Sequence, residues 1–195
     1  MNMHYFDTST TNEKGFTLIE MVVSVALFAI VMTICVDVLL SLVNADRKAQ
    51  ALQSVMNNLN ITLDGMVRPI REGSNFHCGG GLNTSVQDCP AGNTSFAFEP
   101  FGNTPANQPW VYSFSVDGSG VGRIYKSVNG QAPIAITAPE VNIEDMEFYV
   151  VGTARGDQTQ PKVIIVIKGT AGTAGSKAAT TFHIQATSVQ RVLDL

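Results

Sequence analysis

Twenty-eight consecutive residues, Phe16 to Val43, read FTLIEMVVSVALFAIVMTICVDVLLSLV and carry two charges, Glu20 and Asp37. A helix of this length spans roughly 42 Å, at about 1.5 Å per residue. The hydrocarbon core of a bilayer is about 30 Å thick, so one pass fits with length to spare. Two other readings compete: a buried core helix, and a removable secretory signal ending at the small-residue site Val43-Asn44-Ala45. A secretory signal has an apolar core of only about 7–15 residues, shorter than this run. A membrane span over 16–43 is therefore the expectation. The flanks do not orient it. MNMHYFDTSTTNEKG precedes it with Asp7, Glu13 and Lys14, and Arg47 and Lys48 follow, which leaves little asymmetry of positive charge.

Glu20 is the informative residue of the span. A carboxylate at membrane depth costs about 2.5–3.5 kcal/mol even on lenient scales and is usually paired. Either Glu20 lies at the hydrated surface, or it meets a cation. The span contains no Lys or Arg, but cleavage just before Phe16 would create a free amine. The segment Lys14-Gly15-Phe16-Thr17-Leu18-Ile19-Glu20 resembles the processing site of type IV prepilins and pseudopilins. The resemblance implies that residues 1–15 are a leader removed by a prepilin peptidase that cuts after Gly15. It implies N-methylation of Phe16, and makes Glu20 the fifth residue of the mature chain. In a filament of staggered spans, Glu20 of one subunit would then neutralise the Phe16 amine of a neighbour, a pairing that is strong at low dielectric.

Beyond the span, Leu52, Met56, Leu59, Leu63, Val67 and Ile70 recur at helical spacing, with Asp46, Arg47, Lys48, Gln50, Gln53 and Asn57 on other faces. The same helix is expected to continue as an amphipathic half over 44–72, with Pro69 near its end and Glu72-Gly73-Ser74-Asn75 as the stop. Its stripe is expected to pack on a sheet. Residues 73–94 read as a polar loop holding Cys78 and Cys89. A disulfide closing loop 78–89 suits a compartment outside the cytoplasm. Metal binding by His77, Cys78 and Cys89, or a redox pair, remain as alternatives; there is no second CxxC and the pair itself is not CxxC. Cys35 reads as a small apolar residue of the span.

From residue 95 the pattern turns to strands. Ser95–Phe98 alternates, and Trp110–Val116 and Gly122–Val128 flank the turn Asp117-Gly118-Ser119-Gly120. Ile134–Ile136 is a short run, and Val141–Val151 sets Met146, Phe148 and Val150 on one face. Lys162–Lys168 is apolar throughout between its lysines, which predicts a central strand buried on both sides. Gly169–Gly175 reads as a loop, Ala178–Val189 as the last strand, and Arg191-Val192-Leu193 as a helical or extended end. The fold class is α+β: one long N-terminal helix whose amphipathic half packs on a mostly antiparallel sheet of six or seven strands within a β-rich head, 73–195. The strand after Gln160-Pro161-Lys162 and the ending Thr187-Ser188-Val189-Gln190-Arg191 resemble minor pilins and minor pseudopilins of the J or W type.

Composition narrows the function. Charged residues are 14% of the chain, too few for a disordered charged tail. From Asn44 onward there are 11 basic and 12 acidic residues, a formal charge of −1, with no basic stripe, so no nucleic-acid partner is expected. The triple glycine at 79–81 lacks a phosphate-loop ending, and no GxSxG occurs. His4, His77 and His183 are scattered. Glu144, Asp145 and Glu147 lack the spacing of a calcium loop. No catalytic residue, metal or cofactor is expected.

The resemblance implies a minor subunit of a type IV pilus-like or type II secretion pseudopilus filament. Its partners would be other pilin or pseudopilin subunits, the prepilin peptidase/methyltransferase, and membrane lipid before assembly. It would be a single-pass inner-membrane protein with its head outside the cytoplasm, and would reach the periplasm or the cell surface within the filament. The alternative is a single-span adhesin or receptor that does not polymerise, with 73–94 as its contact loop.

Overall fold

The computed structural model describes residues 15–81, 85–102, 109–139, 141–157, 159–171 and 179–191. The leader assigned to 1–15 therefore lies outside the described residues except for Gly15. Ala178 and the expected end at Val192 and Leu193 also lie outside them. The chain divides into two compact units, up to Val43 and from Asn44 onward. Helix α1, Leu18–Glu72, contributes to both. Among the described residues it is followed by nine strands: β1 (Ser74–Cys78), β2 (Cys89–Asn93), β3 (Ser95–Glu99), β4 (Trp110–Val116), β5 (Gly122–Val128), β6 (Ile134–Ala135), β7 (Val141–Val151), β8 (Lys162–Ala171) and β9 (Thr180–Val189). The class is α+β, as the alternation of patterns predicts.

In the second unit the strands form two sheets rather than one, ordered β1-β3-β4-β5-β6 and β2-β7-β8-β9, with every strand pair antiparallel. The two additional strands, β1 and β2, arise inside 73–94, which the sequence presents as a loop. Both are short and irregular in register, and β2 contains Pro90 and Gly92, so neither carries a readable alternation. The end of β8 likewise overruns the expected loop at Gly169.

One core serves both sheets and the helix. Val55, Leu59, Thr62, Leu63, Met66 and Ile70 are buried along α1. The stripe is thus rotated from the expected one: Leu52, Met56 and Val67 lie on its half-buried flank. Facing it are Phe76, Phe96, Phe98, Tyr112 and Ile124 from the first sheet, and Met146, Phe148, Ile165 and Ile167 from the second. Phe96 stacks on Phe148 across the sheets at 5.7 Å between centroids. Burying each such side chain stabilises by about 1.5–3 kcal/mol.

Pro69 has no N–H, so the carbonyl of Gly65 has no helical donor; the Tyr112 hydroxyl donates to it at 3.5 Å. The Ser188 hydroxyl donates to the Val67 carbonyl, and the Arg191 N–H to the Arg71 carbonyl at 2.7 Å. Gly73 N–H closes the last turn on Pro69. The end of α1 is thus capped by residues at and just beyond the end of β9.

Strand β7 shows how local irregularity preserves a buried face. Val141 and Ile143 are buried at odd positions, Met146, Phe148 and Val150 at even ones. The register with β8 advances by two residues on β7 and one on β8 between Ile143 and Asp145, so Glu144 is the extra residue of a bulge. The bulge restores the core-facing set. Strand β8 is central, but it is not buried equally on both sides. Val163, Ile165 and Ile167 are fully buried, while Ile164 and Val166 are half-exposed. Antiparallel partners on both edges, with one face against the core, account for this.

The sheets are fastened together at two places. Gly122 of β5 lies so close to β7 that an added Cβ would fall 1.8 Å from the Ile143 carbonyl oxygen, and its N–H bonds to Asn142 Oδ1 at 2.9 Å. Cys78, at the end of β1, is bridged to Cys89, at the start of β2, with 5.6 Å between Cα atoms. Since β1 and β2 belong to different sheets, the bridge is an inter-sheet staple. It is not a clasp on a free loop.

Gly122→Ala should lower stability in urea denaturation by about 1–3 kcal/mol through overpacking, whereas Gly118→Ala, which meets nothing within 4 Å, should stay within about 0.5 kcal/mol of the parent. Replacing both bridged cysteines by alanine should cost about 3 kcal/mol, the entropy of closing a loop of this length. An unchanged denaturation midpoint would show that the staple contributes nothing.

Candidate functional site

The first unit contains the sequence-marked site. Its helix start is built by a four-residue pattern, Thr17-Leu18-Ile19-Glu20. Thr17 Oγ1 accepts a hydrogen bond from Glu20 N–H at 3.3 Å, and Glu20 Oε2 accepts from Thr17 N–H at 3.5 Å and from its hydroxyl at 3.4 Å. This is a capping box, in which the threonine and the glutamate satisfy each other's orphan donors. Thr17 is the residue that reading for charge alone passes over, though the T-x-x-E spacing ahead of an apolar run announces it. Glu20 thus has a structural role before any partner is considered. Cleavage after Gly15 would leave that role intact, because Thr17 N–H remains a peptide amide. The added Cβ of a residue at 15 would meet nothing within 4 Å, so the fold of the described residues makes no demand for glycine there.

The rest of the unit is uncovered. Phe16 is 78% exposed and Leu18 83%, and the aliphatic side chains through Val43 are exposed throughout. The helix is long and apolar enough to cross a membrane, and its most apolar window has no buried residue. Two of its hydroxyls bond to the helix backbone: Ser24 donates to the Glu20 carbonyl at 2.7 Å and Thr33 to that of Ala29 at 2.8 Å. Cys35 is a free, exposed thiol among them. Leaving this surface in water costs on the order of tens of kcal/mol relative to an apolar environment.

In the second unit, the chemistry-bearing residues are tied into the fold. His77 is buried, and its Nδ1 lies 2.7 Å from the Ser85 carbonyl. Beside it Cys78 N–H bonds to the Gln87 carbonyl, and Asp88 accepts from the backbone N–H groups of Gly152 and Thr153. Both cysteines are consumed by the bridge, so His77, Cys78 and Cys89 do not form a donor set for a metal. The acidic residues of β7 go separate ways: Glu144 meets Thr170 and Lys168, which hold its carboxyl below the usual range, while Glu147 accepts from Tyr149. His183 is exposed on β9, opposite Lys168. Among the described residues, no three His, Cys, Asp or Glu side chains gather as a metal site.

Comparison with known families places the signal in the first unit. The profile of the prokaryotic N-terminal methylation motif matches residues 10–36, a stretch that contains Gly15, Phe16 and Glu20. Neither the curated proteins nor the solved structures return a match. In this N-terminal stretch the chain is similar to type IV pilin-like precursors, and the match supports processing and assembly of that kind.

Proposed function

We propose that the protein is a minor subunit of a type IV pilus-like or secretion pseudopilus filament, made as a precursor and assembled through the first half of α1. One observation carries this reading: an N-terminal methylation motif that spans a capped helix start and the first part of an apolar helix that its own chain leaves uncovered. A membrane first covers that surface, and the corresponding helices of neighbouring subunits cover it after assembly. Residues 1–15 would be the leader, 16–43 the span and filament core, and the unit from Asn44 a head held outside the cytoplasm. A prepilin peptidase would cut after Gly15 and methylate Phe16. The head has a single dominant core.

Glu20 has two roles that two substitutions separate. As a cap it needs a hydrogen-bond acceptor at the third helical position, which glutamine supplies as well as glutamate. As the counter-ion of a neighbour's Phe16 amine it needs a negative charge, because an uncompensated buried charge costs about 3–5 kcal/mol. Glu20→Gln should therefore start its helix and insert normally, yet enter sheared filaments roughly tenfold or more below the parent. Normal incorporation of Glu20→Gln alongside loss for Glu20→Ala would assign the residue to capping alone. Gly15→Ala should leave the full-length precursor in the membrane with no shift to the shorter form on a denaturing gel. A shortened chain from this variant would place the cut elsewhere.

A further inference from the structure

The apolar run of α1 is longer than a bilayer needs. From Phe16 to Val43 it extends about 42 Å, and enclosing all of it in a hydrocarbon core of about 30 Å takes a tilt of about 45°. Membrane-spanning helices are tilted by about 20° on average, within a range of about 0–40°. The run contains no Pro or Gly that would kink it, and it is helical without a break from Leu18 onward. Part of it therefore lies outside the hydrocarbon.

The two carboxylates of the run show which part. Both are exposed, but their surroundings differ. Glu20 lies about one helical turn from Phe16, roughly 6 Å along the axis. Thr17 donates to its carboxylate through both its N–H and its hydroxyl. Asp37 has no hydrogen bond or ion pair among the described residues. Thr33, one turn before it, spends its hydroxyl on the Ala29 carbonyl. The aspartate side chain has a single methylene, so it cannot carry its carboxylate to the surface as the long stem of a lysine does. An unpartnered carboxylate is driven out of hydrocarbon, and water is the partner that remains.

We infer that Asp37 fixes the far boundary of the lipid-covered helix: before assembly, lipid tails cover Phe16 to Val36, and Val38 to Val43 stands in the headgroup layer. This rests on the membrane reading above and shortens the part of the span that lipid covers. The residues from Phe16 to Val36 extend about 31 Å. They cross a 30 Å core at a tilt of about 18°, close to the average for such helices. Val38 to Val43 adds about 9 Å, most of which the headgroup layer of about 5–8 Å on that side accommodates. Asp37 is a positioning residue. Because the helix is unbroken, holding Asp37 at one surface also holds Phe16 and Glu20 at the other, where cleavage and pairing are proposed to occur.

Nitroxide labels on single cysteines test the boundary in the full chain, reconstituted in phosphatidylethanolamine–phosphatidylglycerol vesicles. Cys78 and Cys89 are bridged, so Cys35→Ser gives a background without free thiols. In that background a label at Ile30→Cys should collide more with oxygen, which concentrates in hydrocarbon. A label at Leu40→Cys should collide more with a water-soluble nickel chelate. Adding Asp37→Leu should draw the Leu40 label inward by about 5 Å, half the length of the seven residues it releases into lipid. If the Leu40 label favours oxygen while Asp37 is present, the boundary is wrong and the membrane span stands. If Asp37→Leu leaves that label at its original depth, Asp37 does not set the boundary and the proposal is overturned. If the Ile30 label favours the chelate, the helix is not in lipid and both readings fall.

Discussion

The fold depends on one helix meeting two different apolar demands. Along Val55 to Ile70 the apolar stripe of α1 is narrow, and two sheets of its own chain cover it. Along Phe16 to Val43 the helix is apolar all round, and nothing in the chain covers it. A helix that is hydrophobic on every side is stable only where all its sides are buried, in lipid or among other helices. The second unit satisfies itself; the first requires partners.

The head is held together by features that oppose its irregularity. Both sheets contain short or bulged strands, and the compensations are specific. Cys78–Cys89 ties β1 to β2 across the two sheets, Gly122 lets β5 approach β7, and the Glu144 bulge keeps the buried residues of β7 facing inward. Pro69 near the end of α1 removes a backbone donor, and the Tyr112 hydroxyl supplies another. The turn at Asp117 is fastened in the same manner. Its carboxylate accepts from Ser119, Val121 and Arg123, and these bonds hold its pKa down to about 2. The group therefore favours the folded turn above its unfolded pKa, and that contribution is lost as the pH falls through about 2.

Much of this was legible from residues alone where periodicity was long. The 28-residue run, the continuation of the helix to Glu72, the β4–β5 hairpin and the long strands β7 and β8 all follow from spacing. What was illegible was short or non-local. Strands β1 and β2 have five residues each and no alternation, so a polar loop was the natural reading. The division into two sheets depends on which strand pairs with which, and no local pattern records that. The equal burial expected for both faces of β8 failed because an apolar run shows which residues tolerate burial, and tertiary packing decides which are covered. At the candidate site, Gly15, Phe16 and Glu20 stand out by order and type. The cap made by Thr17 is equally visible in sequence, but the attention a charge in an apolar span attracts conceals it.

We propose that the uncovered helix loses residues 1–15 and is then covered by assembly. N-terminal sequencing of the chain recovered from sheared filaments tests it most directly. The account predicts a single mature chain beginning at N-methylated Phe16. Recovery of the chain only from membranes, with residues 1–15 still attached and no methyl group on Phe16, would contradict it.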